Sequence, residues 1–124
     1  MPSPAASESE VGDRGQATVE LALATPVLCL LLLGVVQLAI VVRDQLAVTE
    51  AARVGARAAA VAADPSAAAA GVTAIEGASV ATSSDGQFVT VTVTAMSPTD
   101  VPLIGALLPD VEVTGRATML LEPP

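Results

Sequence analysis

The main feature of the hydrophobic pattern is one long apolar run near the N-terminus. Between Glu20 and Arg43 lie 22 residues without a charged side chain. A helix rises about 1.5 Å per residue, so this run would be roughly 33 Å long, close to the hydrocarbon thickness of a bilayer. A lone segment in lipid must satisfy its own backbone hydrogen bonds, which favours a helix. The pattern therefore predicts a transmembrane segment over 21–42.

The residues before this run, Met1–Arg14, are rich in Ser, Pro, Ala and acidic residues. They lack apolar periodicity, which predicts disorder. Arg14 is their only basic residue, and the apolar run is longer than the about 7–15 residues of a signal-peptide core. We therefore interpret the run as an anchor and not as a removable signal peptide. A soluble domain released by a cut near Ala51 is the weaker alternative.

The helical pattern continues beyond the span. Arg43–Ala63 contains no proline, and Asp64-Pro65 should end the helix because proline disfavours helix in the residue before it. We predict one long helix over 16–63, with Glu50 and Arg53 paired on its surface. Its apolar residues are spaced alternately by four and three, which is typical of a heptad stripe. The stripe consists of Ala47, Ala51, Val54, Ala58 and Val61.

The last part of the chain, 64–124, predicts a small domain that contains both helix and strand. A short helix is expected over Ala67–Ile75, with Ser66 as its N-cap. In the loop 97–110, a short apolar segment is expected to form one helical turn over Leu103–Leu108. Three strands are expected over Ser79–Thr82, Phe88–Ala95 and Val111–Leu121, the last two with alternating apolar and polar residues.

The strands predict a small antiparallel sheet, with a hairpin turn at Ser84-Asp85-Gly86. The apolar face of the sheet should cover the Ala and Val stripe of the long helix. The fold class is therefore α+β: a long N-terminal transmembrane helix that continues into a small antiparallel β-sheet domain.

Composition excludes several classes of function. The net charge is -8, which argues against nucleic-acid binding and against docking on anionic head groups. The chain has no His, one Cys and no glycine-rich phosphate loop, so we expect no catalytic, cofactor-binding or metal site and no small-molecule substrate. We predict that the protein is not an enzyme.

Three kinds of residue within the span bear on helix packing. Cys29 is interpreted as a small hydrophobic residue. Gly34 and Ala39 leave smooth patches where another helix could approach closely. Gln37 has two interpretations: it reaches water or a backbone carbonyl near the edge of the span, or it makes an interhelical hydrogen bond in an assembly.

The residues Gly15-Gln-Ala-Thr-Val-Glu20 stand directly before the span. Their ordinary interpretation is that glycine interrupts structure before a helix and that an acid in the first turn complements the helix dipole. The spacing of Gly and Glu is weak evidence by itself. Its position at the boundary of a continuous apolar helix makes it much more specific.

The chain here resembles prepilins and pseudopilins, and more closely the TadE-like proteins of the tight-adherence (Tad/Flp) pilus system. The resemblance is carried by Arg14–Glu20, by the apolar run with Pro26, and by Ala51–Ala59. It implies a pilin-like fold and a leader peptide over 1–15. A prepilin peptidase would cut between Gly15 and Gln16. Glu20 would then be the fifth mature residue and would dock against the N-terminal amine of a neighbouring subunit.

The resemblance also implies a function. The protein would be a minor pseudopilin in the bacterial cell membrane that takes part in pilus assembly. Its partners would be the lipid bilayer, a prepilin peptidase and other pilus-assembly subunits, contacted through the transmembrane helix. The alternative is an unprocessed single-pass envelope protein whose outer domain binds a partner.

The orientation of the span follows from two opposing considerations. Arg14 precedes the span, and Arg43, Arg53 and Arg57 follow it. That count alone favours a cytoplasmic C-terminal domain. The resemblance implies a cytoplasmic N-terminus with the domain 64–124 outside the membrane, and we adopt that orientation as the more specific expectation.

Overall fold

The computed structural model describes residues 4–123. One long helix is followed by a short helix and a three-stranded sheet, which confirms the predicted α+β class. The elements are α1 (Pro4–Val61), α2 (Pro65–Val72), β1 (Ser79–Ser84), β2 (Phe88–Ser97) and β3 (Val111–Leu120).

The helix α1 starts earlier than predicted. It begins at Pro4 and not at residue 16, so the prediction of disorder before Gly15 is wrong from Pro4 onward. Proline is tolerated at the first helical position, and the alanines and glutamates that follow are good helix formers. They extend a helix that already exists, which avoids the cost of nucleation. Met1–Ser3 lie outside the described residues. At its other end, α1 stops at Val61, two residues before the predicted Ala63.

The N-cap of α2 is Asp64, so the prediction that Ser66 would cap it is wrong. Asp64 Oδ1 accepts hydrogen bonds from the backbone N–H groups of Ser66 and Ala67, both at 3.1 Å. An aspartate before proline suits this role because Pro65 has no N–H to satisfy. Hydrogen bonds from the Ser66 side chain and from these amides lower the pKa of Asp64. The helix runs from Pro65 to Val72 and not from Ala67 to Ile75.

The three strands form an antiparallel sheet in the order β1-β2-β3. The predicted hairpin turn is confirmed. Asp85 Oδ1 accepts hydrogen bonds from the backbone N–H groups of Gln87 at 2.9 Å and Phe88 at 2.7 Å, which lower its pKa. Gly86 has a φ of 90°, a conformation that glycine adopts without steric cost.

The core lies between this sheet and the C-terminal half of α1. The predicted alternation in β2 is confirmed, because Val89, Val91 and Val93 are fully buried. The predicted stripe on α1 is wrong by about one position, since Val54 and Val61 are exposed. The residues that bear the sheet are Val48, Ala52, Ala56 and Ala59.

Two glycines explain why the sheet packs on this face of α1 and not on the predicted stripe. A Cβ at Gly115 would overlap the backbone of Val48, so β3 approaches α1 closely only on this face. A Cβ at Gly55 would lie 3.1 Å from Cγ1 of Val91. Because α1 is alanine-rich on several faces, its apolar spacing alone does not select one of them. The sheet packs on the face of α1 that places its smallest residue, Gly55, opposite β2.

The loop 98–110 contains hydrogen-bonded turns. The N–H of Gly105 donates to the carbonyl of Val101 at 2.8 Å, and that of Leu108 donates to Ile104 at 3.0 Å. Leu103 has a φ of 68°. The bond from Leu108 to Ile104 spans four residues and closes one helical turn, as predicted within Leu103–Leu108, and the left-handed Leu103 precedes it without belonging to a helix.

Candidate functional site

The apolar part of α1 projects without protein partners over most of its length. Leu23, Val27 and Leu31 each expose more than half of their surface. Within the part of the chain that the structure describes, α1 is the one helix long and apolar enough to cross a membrane. The rest of the chain buries little of its most apolar stretch. Such a surface is stable where lipid or other apolar helices cover it.

The predicted processing residues lie on the exposed N-terminal part of α1. Gly15 and Gln16 are both exposed, and a Cβ at Gly15 would meet nothing within 4 Å. The Thr18 hydroxyl donates to the carbonyl of Arg14 at 2.9 Å. The Gly15–Gln16 peptide bond is therefore accessible but helical. Glycine lowers the stability of a helix, and Gly12 lies one turn before this bond.

The predicted docking residue, Glu20, is exposed at the boundary of the apolar run. The Gln16 amide Nε2 donates to Glu20 Oε1 at 3.2 Å. This hydrogen bond orients the carboxylate but leaves its charge uncompensated, because an amide is neutral. The structure thus brings Gln16 and Glu20 together on one face, as their spacing of four residues requires.

Pro26 lies inside the span without ending it, since α1 continues through it. The neighbouring Thr25 hydroxyl donates to the carbonyl of Leu21 at 2.7 Å. A threonine side chain that donates a hydrogen bond to a carbonyl of the preceding turn often accompanies a bend in a membrane helix. A proline inside a helix removes one backbone hydrogen bond and clashes with the carbonyl four residues back, so the sequence predicts a kink between Ala22 and Pro26.

Gln37 is the polar residue of the span that the structure buries. It exposes 6% of its surface, and both polar atoms of its amide lack a hydrogen-bond partner among the described residues. The interpretation that it reaches water or a backbone carbonyl is therefore wrong for the described chain. A helix cannot bury its own side chain so fully, so the C-terminal domain covers this face of the span.

The covered face continues toward the sheet at spacings of three and four residues. Leu33, Gly34, Ile40 and Val41 are partly buried, in contrast to most of the span. Asp44 and Val48 follow on the same face. This overlap of the domain with the end of the span was not predicted, although the helical spacing of these positions could have indicated it.

Two hydrogen bonds attach the sheet to α1 just beyond the span. The Ser97 hydroxyl donates to Asp44 Oδ2 at 2.6 Å. The Gln45 amide Nε2 donates to the carbonyl of Thr114 at 2.7 Å. Neither was predicted, because each joins residues more than fifty positions apart. The predicted pair of Glu50 and Arg53 is confirmed at 3.7 Å, and at this exposure it contributes little to stability.

Comparison with known proteins finds a match within the long helix α1. The family model of the TadE-like protein matches residues 15–57. This segment is TadE-like. The resemblance read from the sequence is thereby confirmed for about a third of the chain. No curated protein and no solved structure matches the chain.

The TadE-like segment contains the exposed glycine, the exposed glutamate, the apolar run and most of the helical face that bears the sheet. Its apolar helix is long and apolar enough to span a membrane. The loop 98–110 and all three strands lie beyond the matched residues. Among the side chains that the structure describes, those of residues 11–123, no three of His, Cys, Asp or Glu are placed to share a metal ion.

Proposed function

We propose that this protein is a membrane-anchored minor pseudopilin that takes part in assembly of the Tad pilus. The observation that supports it is a TadE-like helix whose apolar face is uncovered and whose boundary carries an exposed glutamate. In this proposal the protein is not an enzyme. Its single span holds the N-terminus in the cytoplasm and the domain 64–124 outside the bacterial cell membrane.

The first step proposed is removal of residues 1–15 by a prepilin peptidase. Cleavage between Gly15 and Gln16 would need this helical segment to open locally so that the peptide bond can enter an active site. Gly12 and Gly15 reduce the free energy of that opening, because glycine costs about 1 kcal/mol relative to alanine inside a helix. The backbone of the described leader residues, 4–15, makes no hydrogen bond to another element that would resist opening.

The second step proposed is docking of Glu20 against another subunit. A carboxylate at the edge of the hydrocarbon region is costly unless it is paired. Its hydrogen bond from Gln16 does not supply positive charge. A new N-terminal amine on the adjacent subunit would supply it, and the uncovered apolar helices would pack alongside. The family's other pilus-assembly subunits are the partners that this docking requires.

Mass spectrometry of the membrane-extracted protein, expressed with and without a prepilin peptidase, tests the cleavage. We expect the peptidase to remove residues 1–15 from the parent chain and from Gly12→Val, but not from Gly15→Val. Gly12 is a matched control because it also lies in α1, and a Cβ added to it would meet no atom within 4 Å. Retention of Met1 in all three proteins would reject processing.

The second candidate is an unprocessed single-pass envelope protein whose outer domain binds a partner. The apolar span and the attached sheet are sufficient for it. An intact N-terminus on a protein that stays in the membrane, together with no association with pilus-assembly subunits, would select this candidate.

A further inference from the structure

The loop 98–110 presents large apolar side chains on its surface. Leu103, Leu107 and Leu108 expose 64%, 74% and 54% of their surface. The loop is closed at its base, where the backbone N–H of Thr99 donates to Asp110 Oδ1 at 2.9 Å. These leucines are therefore held outward by a hydrogen-bonded loop.

Leu103 also has an unusual backbone. Its φ of 68° lies in the left-handed region, which is unfavourable for a residue with a branched side chain. Such a conformation persists when surrounding contacts enforce it, and it is found more often at functional sites. A Cβ at Gly105 would overlap the carbonyl of Thr99, so the fold of the loop is tight. The exposure of its leucines is built into that fold.

The loop lies at the end of the domain nearest to the span. It leaves the sheet at Ser97, which is bonded to Asp44, two residues beyond the last residue of the span. Just after β3, the N–H of Glu122 donates to the carbonyl of Ala60, whereas within β3 the carbonyl of Thr114 accepts from Gln45 Nε2. β2 therefore runs toward the span and β3 runs away from it, so the loop between them lies at the span end of the sheet.

The depth of this end of the domain is indicated by Gln37. It lies six residues inside Arg43, which is about 9 Å along a helix. Its burial means that polypeptide covers the span at that depth. The base of the loop lies at this end of the sheet, so its exposed leucines belong to the end of the domain nearest to the span.

We propose that Leu103, Leu107 and Leu108 insert into the hydrocarbon of the leaflet that surrounds the C-terminal end of the span. This contact rests on the proposed anchoring of α1 in a bilayer, and it gives the protein a second attachment to lipid. The partner is the acyl region and not anionic head groups, because Asp100, Asp110 and Glu112 flank the leucines.

Tryptophan fluorescence of the full chain tests the proposal, because the protein has no Trp or Tyr of its own. Leu107→Trp is the test variant, in phosphatidylcholine vesicles with and without brominated acyl chains. Leu108→Trp is a second test variant, should the first disturb the loop. The matched controls are Leu31→Trp in the middle of the span and Leu120→Trp at the far end of β3, which are similarly exposed.

We expect brominated lipid to cause about a twofold loss of emission for both loop variants and for Leu31→Trp, and little loss for Leu120→Trp. Quenching of Leu31→Trp alone would overturn lipid insertion of the loop while leaving the anchor intact. Absence of quenching in every variant would reject the anchor and, with it, the loop contact. Shielding of the loop variants only at high protein-to-lipid ratio would assign the leucines to a second copy and overturn the proposal.

Discussion

Gly115 of β3 lies directly against the backbone of Val48 in α1, with no room for a side chain between them. This contact brings the sheet within backbone distance of the helix. We expect Gly115→Ala to destabilise the domain by about 2–4 kcal/mol, because strand and helix would have to separate. Hydrogen exchange of the β2 and β3 amides in detergent-solubilised protein measures the loss.

Gly71→Ala provides the matched control for that substitution. Gly71 lies in α2, with no atom within 4 Å of a Cβ and no left-handed φ. We expect Gly71→Ala to stabilise the domain by about 0.5–1 kcal/mol through helix propensity. If both alanines changed amide protection equally, the close approach at Gly115 would not be what positions the sheet.

Gly55 and Val91 should be energetically coupled. A Cβ on residue 55 would lie 3.1 Å from Val91 Cγ1, which is tight but could be relieved by a smaller partner. We expect Gly55→Ala to destabilise the domain by about 1 kcal/mol, and less when Val91→Ala is also present. Denaturant unfolding of the two single variants and the double variant measures the interaction free energy. Strict additivity of the two free-energy changes would contradict the coupling.

The hydrogen bond between Ser97 and Asp44 should attach the loop end of the sheet to α1. We expect Ser97→Ala to cost about 1–3 kcal/mol, because it leaves a partly buried carboxylate without this donor. Protection of the 97–113 amides should fall more than that of the β1–β2 turn. Thr90→Ala, which removes an exposed bond to Thr118, is the control expected to have a small effect.

Acid should weaken the domain through Asp64 and Asp85. Hydrogen bonds lower both pKa values in the fold, below the usual value of 3.8. Since their folded-state pKa values lie below the unfolded ones, their contribution is fully present above that value and is lost as pH falls through the folded-state pKa values. We expect Asp85→Asn to flatten the loss of stability below about pH 4.

Glu20→Gln should separate membrane insertion from assembly. Glutamine keeps the size and the acceptor oxygen but removes the charge that the proposed amine would pair with. We expect unchanged membrane insertion and impaired co-purification with pilus-assembly components. Glu50→Gln, an exposed acid farther along α1, is the matched control. Undiminished co-purification of the Glu20 variant would exclude its docking role.

Local patterns in the sequence predicted most of the elements. The long apolar run, the alternation in β2 and the Asp85-Gly86 turn depend on neighbouring residues, and the structure confirms all three as helix, strand and hairpin. The start of α1 was missed because helix propagates from a stable segment into residues that would not form it alone. The helix face that bears the sheet was misplaced because alanine occupies several faces of α1.

The site was predictable to a different degree. Gly15 and Glu20 were found from their position at the span, and the TadE-like character of this segment is confirmed. Their processing and docking stay predictions. The covering of Gln37 and the bonds from Asp44 and Gln45 join residues far apart in sequence. The helical spacing of the covered positions could have indicated the covered face, but only the tertiary fold shows which groups bond to Asp44 and Gln45.

The continuity of α1 has a mechanical consequence. No break separates the span from the part of the helix that carries the sheet, since α1 runs without interruption through Arg43 to Val61. That part is a stiff arm of roughly 27 Å. A change of about 20° in the tilt of the span would therefore carry its far end sideways by roughly 9 Å. Neighbouring subunits that contact the helix inside the bilayer would thus change the position of the sheet outside it.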